Sequence, residues 1–589
     1  MENTNLLNEL NDSQRAAVAY NEGPHLVIAG AGSGKTRVLT YKIAYLLQGG
    51  TRASRILALT FTNKAAREMK ERIGKLVGDK EARYLWMGTF HSICAKILRQ
   101  EAEKLGFTRD FSIYDTQDSK SLIKQILKDK GLGGKEDKVY KDSAVLGKIS
   151  AAKNVLMTPA QYALDKEVDK QNRIERMYEM ADIYHQYQER LLAANAMDFD
   201  DLLVNMVRLL QTNKEVLDTY QRMFEYVLVD EYQDTNYAQF LLVKLLAAPS
   251  NRVCVVGDDA QSIYSFRGAD IRNILSFQNT YPGAQLFKLE RNYRSTQTIV
   301  EAANTLIHHN ANQIFKQVYS ENSVGDRLPL RLFMTDREEA EGVVKLVVEE
   351  HRMRKMGLDK IAILYRTNSQ SRAFENELRK YGLPYRIYGG TSFYQRKEIK
   401  DAISYFRVAA NPKDSEALVR AIGVPAGRGI GDTTLRKVFD QSILMHVSMY
   451  EVIAHPMETG LPVNAATQTR LMGFAALIGE LRDAMETLDA YQFADLVMQR
   501  SGLMSAAIAD RTPEGIDRKE NLDELLSGIH DFVQQRQDQG IDFTPVQDFL
   551  AEVALLTDQD EHTDDHTERV TLMTVHAAKG LEFPVVYIV

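Results

Sequence analysis

Cysteine is nearly missing from this chain of 589 residues: only Cys94 and Cys254 are present. Both sit in apolar segments, which argues against a disulfide framework or a cysteine zinc site and fits small core residues in a reducing compartment. No uninterrupted apolar run approaches the roughly 20 residues that span a bilayer. The N-terminus, MENTNLLNELNDSQ, lacks a basic region leading into an apolar one, so neither a membrane partner nor a secretory leader is expected. Low-complexity tracts and short-period repeats are also missing. So is an excess of positive charge: the formal net charge is −7, which speaks against a general polyanion binder but averages over local patches. One such patch runs from Lys120 to Lys153, where nine lysines stand against four acids. It could follow a phosphate backbone, although a solvated helix face is the commoner meaning. Residues 558–568 form an acidic run that reads as an exposed connector.

What is present exceeds a single hydrophobic core, so two to four domains are expected. Apolar runs without helical period at 25–29, 56–60, 226–229 and 253–256 each end in polar or glycine-rich residues. They suit parallel strands buried on both faces, and amphipathic helical stretches at 36–47 and 63–76 lie between them. That alternation describes an α/β sheet with ligands at the carboxyl ends of its strands. A second set at 285–289, 328–333, 361–365, 571–575 and 585–589 predicts a second α/β domain. Residues 109–195 and 383–551 have mostly helical periodicity and read as insertions.

Residues 29–36, AGAGSGKT, follow a strand and open a helix, the context a phosphate-binding loop requires. The glycines let backbone N–H groups of Ala29, Gly30, Ala31, Gly32, Ser33 and Gly34 approach phosphates. Lys35 would reach the β and γ oxygens, and the Thr36 hydroxyl would ligate Mg2+. Ala29 departs from the usual glycine but is small enough for close approach. Residues 227–231, VLVDE, supply an apolar strand ending in two carboxylates. Asp230 would hold Mg2+ and Glu231 would polarise the attacking water. These two features together predict an ATP-hydrolysing site; a small-molecule kinase would more often need a second substrate pocket under a short lid.

Ten segments then occur in a fixed order: LNDSQ (10–14), AGAGSGKT, LTFTNKAAREM (59–69), GTFHS (88–92), DFDDLL (198–203), VDEYQDTN (229–236), VVGDDAQSIYSFRGA (255–269), NYRS (292–295), YRTNSQSR (365–372) and TVHAAKGLEF (574–583). This series resembles the successive motifs of the UvrD/Rep/PcrA group of superfamily 1 DNA helicases, from residue 10 to the end. The resemblance implies an α/β fold of two RecA-like P-loop NTPase domains, each with a mainly helical insertion. The expected division is 1–108 with 196–280, insertion 109–195, then 281–382 with 552–589, and insertion 383–551.

The same resemblance implies roles for further residues. Gln14 would read adenine, Tyr293 would stack on it, Glu582 would bind the ribose, and Arg37 would line the nucleotide pocket. Gln261 would sense the γ-phosphate, and Arg294 would reach it as an arginine finger. Phe61, Tyr264 and Phe266 match stacking positions for single-stranded DNA, with Arg267, Asn63, His91, Arg366, Asn368 and His576 as polar contacts. Phe266 replaces the tryptophan often found there, a smaller platform. His91 and His576 could equally be structural. Gly429, Gly431 and Thr433, in the turn GRGIGDTT, would approach duplex DNA, or simply begin a helix.

The implied activity is ATP-dependent 3′-to-5′ movement on single-stranded DNA at junctions with duplex, in DNA repair or replication, by a monomer in a bacterial cytosol or nucleoid. Repair, replication or RNA polymerase proteins would be its partners. Two other readings share these motifs: the helicase portion of a helicase-nuclease, and an ATP-switched DNA- or polymerase-binding module whose unwinding is autoinhibited. The chain ends in LEFPVVYIV, before the place of the group's last arginine motif, so a shortened chain with weak hydrolysis is expected.

Overall fold

The computed structural model describes residues 6–134, 137–248, 250–388, 393–556 and 568–589. The acidic run therefore lies outside the described residues except for Glu568. Continuous apolar segments form a six-stranded sheet from β1 (His25–Ala29), β2 (Ile56–Thr60), β3 (Trp86–Thr89), β6 (Tyr226–Val229), β7 (Val253–Gly257) and β8 (Gln285–Leu289). Their spatial order is β3, β2, β6, β7, β1, β8, and all the neighbours are parallel. Every residue of β1, β2, β6 and β7 is buried, because helices cover both faces and no polar side is needed.

The helices start where side chains cap them. Thr62 accepts from the amide of Ala65 to open Asn63–Val77, and Thr89 accepts from that of Ser92 to open Phe90–Glu101. Lys35–Gln48 is different: it follows Gly34 in the left-handed region with no side-chain cap, so its first amides remain available.

A two-stranded ribbon of β4 (Ser112–Tyr114) and β5 (Ala196–Asp198) brackets the first helical insertion, whose core includes Leu122, Ile126, Ile149 and Tyr187. The strands β9 (Arg291–Asn292) and β10 (Tyr319–Ser320) form a short parallel pair. A four-stranded parallel sheet follows, ordered β12 (Tyr385–Ile387), β13 (Val570–Thr574), β11 (Ile361–Tyr365) and β14 (Val585–Ile588). The second helical region has its own core, running from Ile399 to Phe549.

Three expectations change. Segment 285–289, expected in the second sheet, is the edge strand of the first, in register with β1 from His25↔Gln285 to Ala29↔Leu289. Segment 328–333 is not a strand; Leu330 and Leu332 are 86% and 89% exposed, and among the described residues no backbone pairs with them. Residues 385–387, expected within the second insertion, instead extend the second sheet beside β13. In each case pairing depends on which backbone lies alongside in space, which local residue pattern does not reveal.

The two helical regions meet through buried polar contacts. Arg407, held by Asp414 of its own region at 2.9 Å, pairs with Asp118 at 2.6 Å; Lys400 pairs with Asp115 at 2.8 Å, and the Tyr114 hydroxyl donates to Asp414 at 3.0 Å. The Asn411 amide donates to Ser112 Oγ and to the carbonyls of Ala194 and Asn195, each at 3.0 Å.

Candidate nucleotide and nucleic-acid sites

The phosphate-binding loop leaves β1 at Ala29 and passes through Gly32 and Gly34, both in the left-handed region with φ of 67° and 88°. Donors from elsewhere occupy its carbonyls. Asn292 Nδ2 donates to Ala31 O at 2.6 Å, the Tyr293 amide to Gly32 O at 2.9 Å, and Gln14 Nε2 to Ser33 O at 3.1 Å. With the carbonyls held this way, the amides of Gly32, Gly34 and Lys35 make no backbone bond and suit an anion. A side chain at Gly32 would come within 2.8 Å of Asn292 and Arg294, so glycine is required there for packing as well as for φ.

Lys35 Nζ lies 3.2 Å from Gln261 Oε1 and 3.5 Å from Glu231 Oε2. Glu231 itself has φ 48°, a strained position for a residue with a side chain. Burial opposes ionisation of Glu231, but Lys35 and Lys579, with the Gln233 amide, outweigh it and hold its carboxyl below the usual range. Asp230 goes the other way: burial and then the Glu231 charge push it up to about 7. Of the adjacent carboxyls, Asp230 is thus the one that holds a proton towards neutrality and Glu231 the anionic one. Gln261 Nε2 donates to Asp258 Oδ2 at 2.8 Å, and Lys316 clamps Asp258 and Asp259 at 3.0 and 2.6 Å.

The remaining nucleotide candidates are placed unevenly. Asn11 donates to the Tyr293 hydroxyl at 2.7 Å, which brings Tyr293 near the Gln14 end of the loop. Arg294 Nε and Glu582 Oε2 pair with each other at 2.5 Å. Arg37 turns away, donating to Glu9 O at 2.9 Å and resting over the Tyr41 ring. Thr36 lies at the start of its helix beside Lys35, where its backbone carbonyl accepts from Thr40. Among the described residues, no group of three or more His, Cys, Asp and Glu is arranged to hold a metal.

Lys579 was not singled out from the sequence, although it stands in the quoted AAKG segment. Its ammonium pairs with Asp234, donates to Gln261 O at 2.7 Å and lies 5.0 Å from the Tyr264 ring centre. Gln233 was also passed over; it donates to Glu231 Oε2 at 2.6 Å and Asp234 Oδ2 at 3.0 Å. Burial raises Asp234 to about 6 despite Lys579.

One step beyond Lys579 lies an aromatic cluster. Phe61 and Tyr264 are parallel within 8°, with centres 6.0 Å apart, and the Tyr264 hydroxyl donates to His576 O at 3.0 Å. Phe266 stands edge-on to His576 at 5.3 Å, and Arg267 lies over both Tyr264 and Phe266. Phe266 is 65% exposed, so core packing does not account for it. Arg366 is close enough to His576 to lower its pKa, after burial, and Asn368 is exposed in the turn just beyond Arg366. Asn63 Nδ2 donates to Leu555 O at 2.8 Å. His91 points inward instead: burial holds its imidazole at about 4, and its ring meets Phe199 edge-on.

The GRGIGDTT turn is separate. Gly431 begins the helix Asp432–Met445 without a side-chain cap, so neither Asp432 nor Thr433 caps it. Gly429 has φ 68° and its carbonyl accepts from Arg470 at 3.2 Å. Among the described residues, no hydrogen bond joins Gly429, Gly431 or Thr433 to the other candidates.

A parallel sheet with a phosphate loop after β1 and paired acids after β6 defines a P-loop nucleotide-binding protein. The profile of the UvrD/REP helicase N-terminal domain matches residues 10–282, and that of the UvrD-like helicase C-terminal domain matches residues 287–589. The chain belongs to the UvrD/REP helicase family. It is 44% identical over 589 residues to the ATP-dependent DNA helicase PcrA of Staphylococcus aureus (strain Mu50 / ATCC 700699), covering 99% of this chain and 77% of that protein. The PcrA of Staphylococcus epidermidis (strain ATCC 12228 / FDA PCI 1200) is 43% identical, with 99% and 78% covered. Among the described residues, no helix is long and apolar enough to cross a membrane.

Proposed function

We propose that this protein is an ATP-dependent DNA helicase that moves 3′ to 5′ along single-stranded DNA and opens the duplex ahead of it. Family membership supports the activity. The observation that carries the mechanism is a continuous polar path from the phosphate loop to the aromatic cluster: Lys35 to Gln261 at 3.2 Å, Gln261 O to Lys579 at 2.7 Å, and Lys579 over Tyr264 at 5.0 Å. Gln261 would exchange Lys35 for the γ-phosphate. Its backbone carbonyl holds Lys579, which comes from the second sheet region, so movement at the phosphate would shift Tyr264 and its neighbours.

Glu231, kept anionic, is the base that orients water, and Arg294 would leave Glu582 to meet phosphate charge. Phe61, Tyr264, Phe266, Arg267, Arg366, Asn368 and His576 would contact the strand; His91 would position Phe199. Repair or replication is the setting we propose.

Thr36 and Asp230 offer hard oxygen donors that fit Mg2+, which would supply charge neutralisation at the phosphates. Two protein oxygens are few for a metal, so binding should depend on nucleotide. Asp230 must also lose its proton. Its folded pKa lies above the unfolded value of 3.8, so burial as the acid is favoured at low pH, and the folded state loses stability as pH rises from about 4 to 7. Metal binding has the opposite trend. With ADP present, Mg2+ affinity should fall about tenfold for each unit below pH 7, and Asp230→Asn should flatten that slope; isothermal titration at pH 5.5, 6.5 and 7.5 measures it.

The test of function is hydrolysis and unwinding by the same preparation. Single-stranded DNA should stimulate ATP hydrolysis, and a duplex with a 3′ tail should be opened in preference to one with a 5′ tail. Hydrolysis indifferent to DNA would overturn the proposal. Stimulated hydrolysis with no unwinding would favour an ATP-switched binding module.

A further inference from the structure

Away from the aromatic cluster, on the flank formed by the edge strand β3, cations gather without acidic partners. Lys70 lies on the helix Asn63–Val77, Arg83 ends the short helix Asp79–Arg83, Lys96 lies on Phe90–Glu101, and Arg536 lies near the end of Pro513–Asp538. Among the described residues none of these four side chains makes an ion pair or hydrogen bond with an acid, and no acid is among the charges that act on Lys70 or Lys96. The four are nevertheless close. Lys96 Nζ is 4.0 Å above the Trp86 ring, and Arg83 Nη1 reaches to 3.6 Å from where a Cβ would stand at Gly540, just after the helix that carries Arg536. Burial, with Lys96, Arg83 and Arg536 as like-charged neighbours, lowers the Lys70 pKa; burial and Arg536 lower that of Lys96. Glu552, an acid within electrostatic reach of Arg536, is pushed up by burial, with Arg536 and Arg67 acting against it.

Like charges held together at a cost to the fold are most simply explained by an anionic ligand. Two features indicate which ligand. The helix bearing Lys70 begins at Asn63, two residues beyond Phe61 of the proposed strand contacts, and the helix bearing Lys96 begins at Phe90 on the same flank. At 1.5 Å per residue, Lys70 is about 10 Å along its helix from Asn63. Aromatics are interleaved as well: Trp86 lies beneath Lys96, and Tyr84 is 65% exposed beside Arg83. Cations alternating with ring faces are the composition of a sequence-tolerant single-strand site.

We propose that Lys70, Arg83, Lys96 and Arg536 form a second phosphate-binding site, which holds the single strand after it leaves Phe61. This rests on the DNA reading above. It adds a place where the bound strand continues around the edge of the first sheet.

The test uses the full chain, without nucleotide, and fluorescent oligothymidylates lengthened one nucleotide at a time between about 4 and 16, on the 3′ side or on the 5′ side. Fluorescence anisotropy of the wild type should show an added step of about tenfold in affinity when the strand is extended from one side only. The Lys70→Ala/Lys96→Ala variant should bind the shortest oligomers as the wild type does and lack that step, and the slope of log Kd against log salt should fall by about 0.7 for each lysine removed. Lys70→Gln, which mainly relieves repulsion, should melt no lower than wild type at low salt, separating lost contacts from lost folding. A step retained in the double variant would overturn the proposal while leaving the helicase reading intact; no binding at any length would instead overturn that reading. Loss of polyglutamate binding with the DNA step retained would also overturn it, in favour of an acidic protein partner.

Discussion

Lys35→Ala should reduce DNA-stimulated ATP hydrolysis by about 10²- to 10³-fold, the scale on which a preorganised charge contributes to a transition state. Two effects combine. The ammonium that would meet the β and γ oxygens is lost, and so is the nearest cation to Glu231, 3.5 Å away. Burial already opposes ionisation of Glu231, and Lys35 is the first charge that counters it. Without Lys35 its carboxyl should rise, so the group proposed to orient water is more often protonated. The loop itself should persist, because Asn292, Gln14 and the Tyr293 amide hold its carbonyls. Nucleotide binding should therefore weaken less than turnover, as a fluorescent ADP analogue and steady-state hydrolysis would separate. Turnover at the wild-type rate with DNA present would end the assignment of Lys35.

Phe266→Ala should weaken single-stranded DNA binding by about 5- to 150-fold, which is 1 to 3 kcal/mol for one stacked base. The half-maximal DNA concentration for stimulating hydrolysis should rise in the same proportion, with ADP affinity unchanged. The expectation follows from position: Phe266 is exposed, with His576 edge-on to one side and Arg267 above it. Tyr264 makes the contrasting case. It is buried, bonded to His576 O and stacked with Phe61, so its replacement should also lower the thermal midpoint. Equal losses of DNA and nucleotide affinity in Phe266→Ala would mean that the ring supports the fold instead.

Much of the candidate nucleotide site was legible because the chemistry it proposes is local. A phosphate loop needs glycine at the left-handed positions and lysine beside them; paired acids need only a buried strand to present them. The partners that adjust these groups were less legible. Nothing near Glu231 in sequence announces that Lys579, 348 positions away, helps to keep it charged. Arg37 sits next to the loop in sequence and yet turns to Glu9.

The sequence by itself determined most of the strands, 328–333 and 385–387 excepted, and which segments carry residue types suited to phosphates and to stacking, since both depend on residues a few positions apart. The tertiary structure decided which strand joins which sheet, as 285–289 beside β1 shows. It also decided which charges find partners. Lys35, Lys153 and Lys579 meet carboxylates, whereas Lys70 and Lys96 meet other cations. Pairing energies fall steeply with distance through space, and a chain fixes that distance only when it folds.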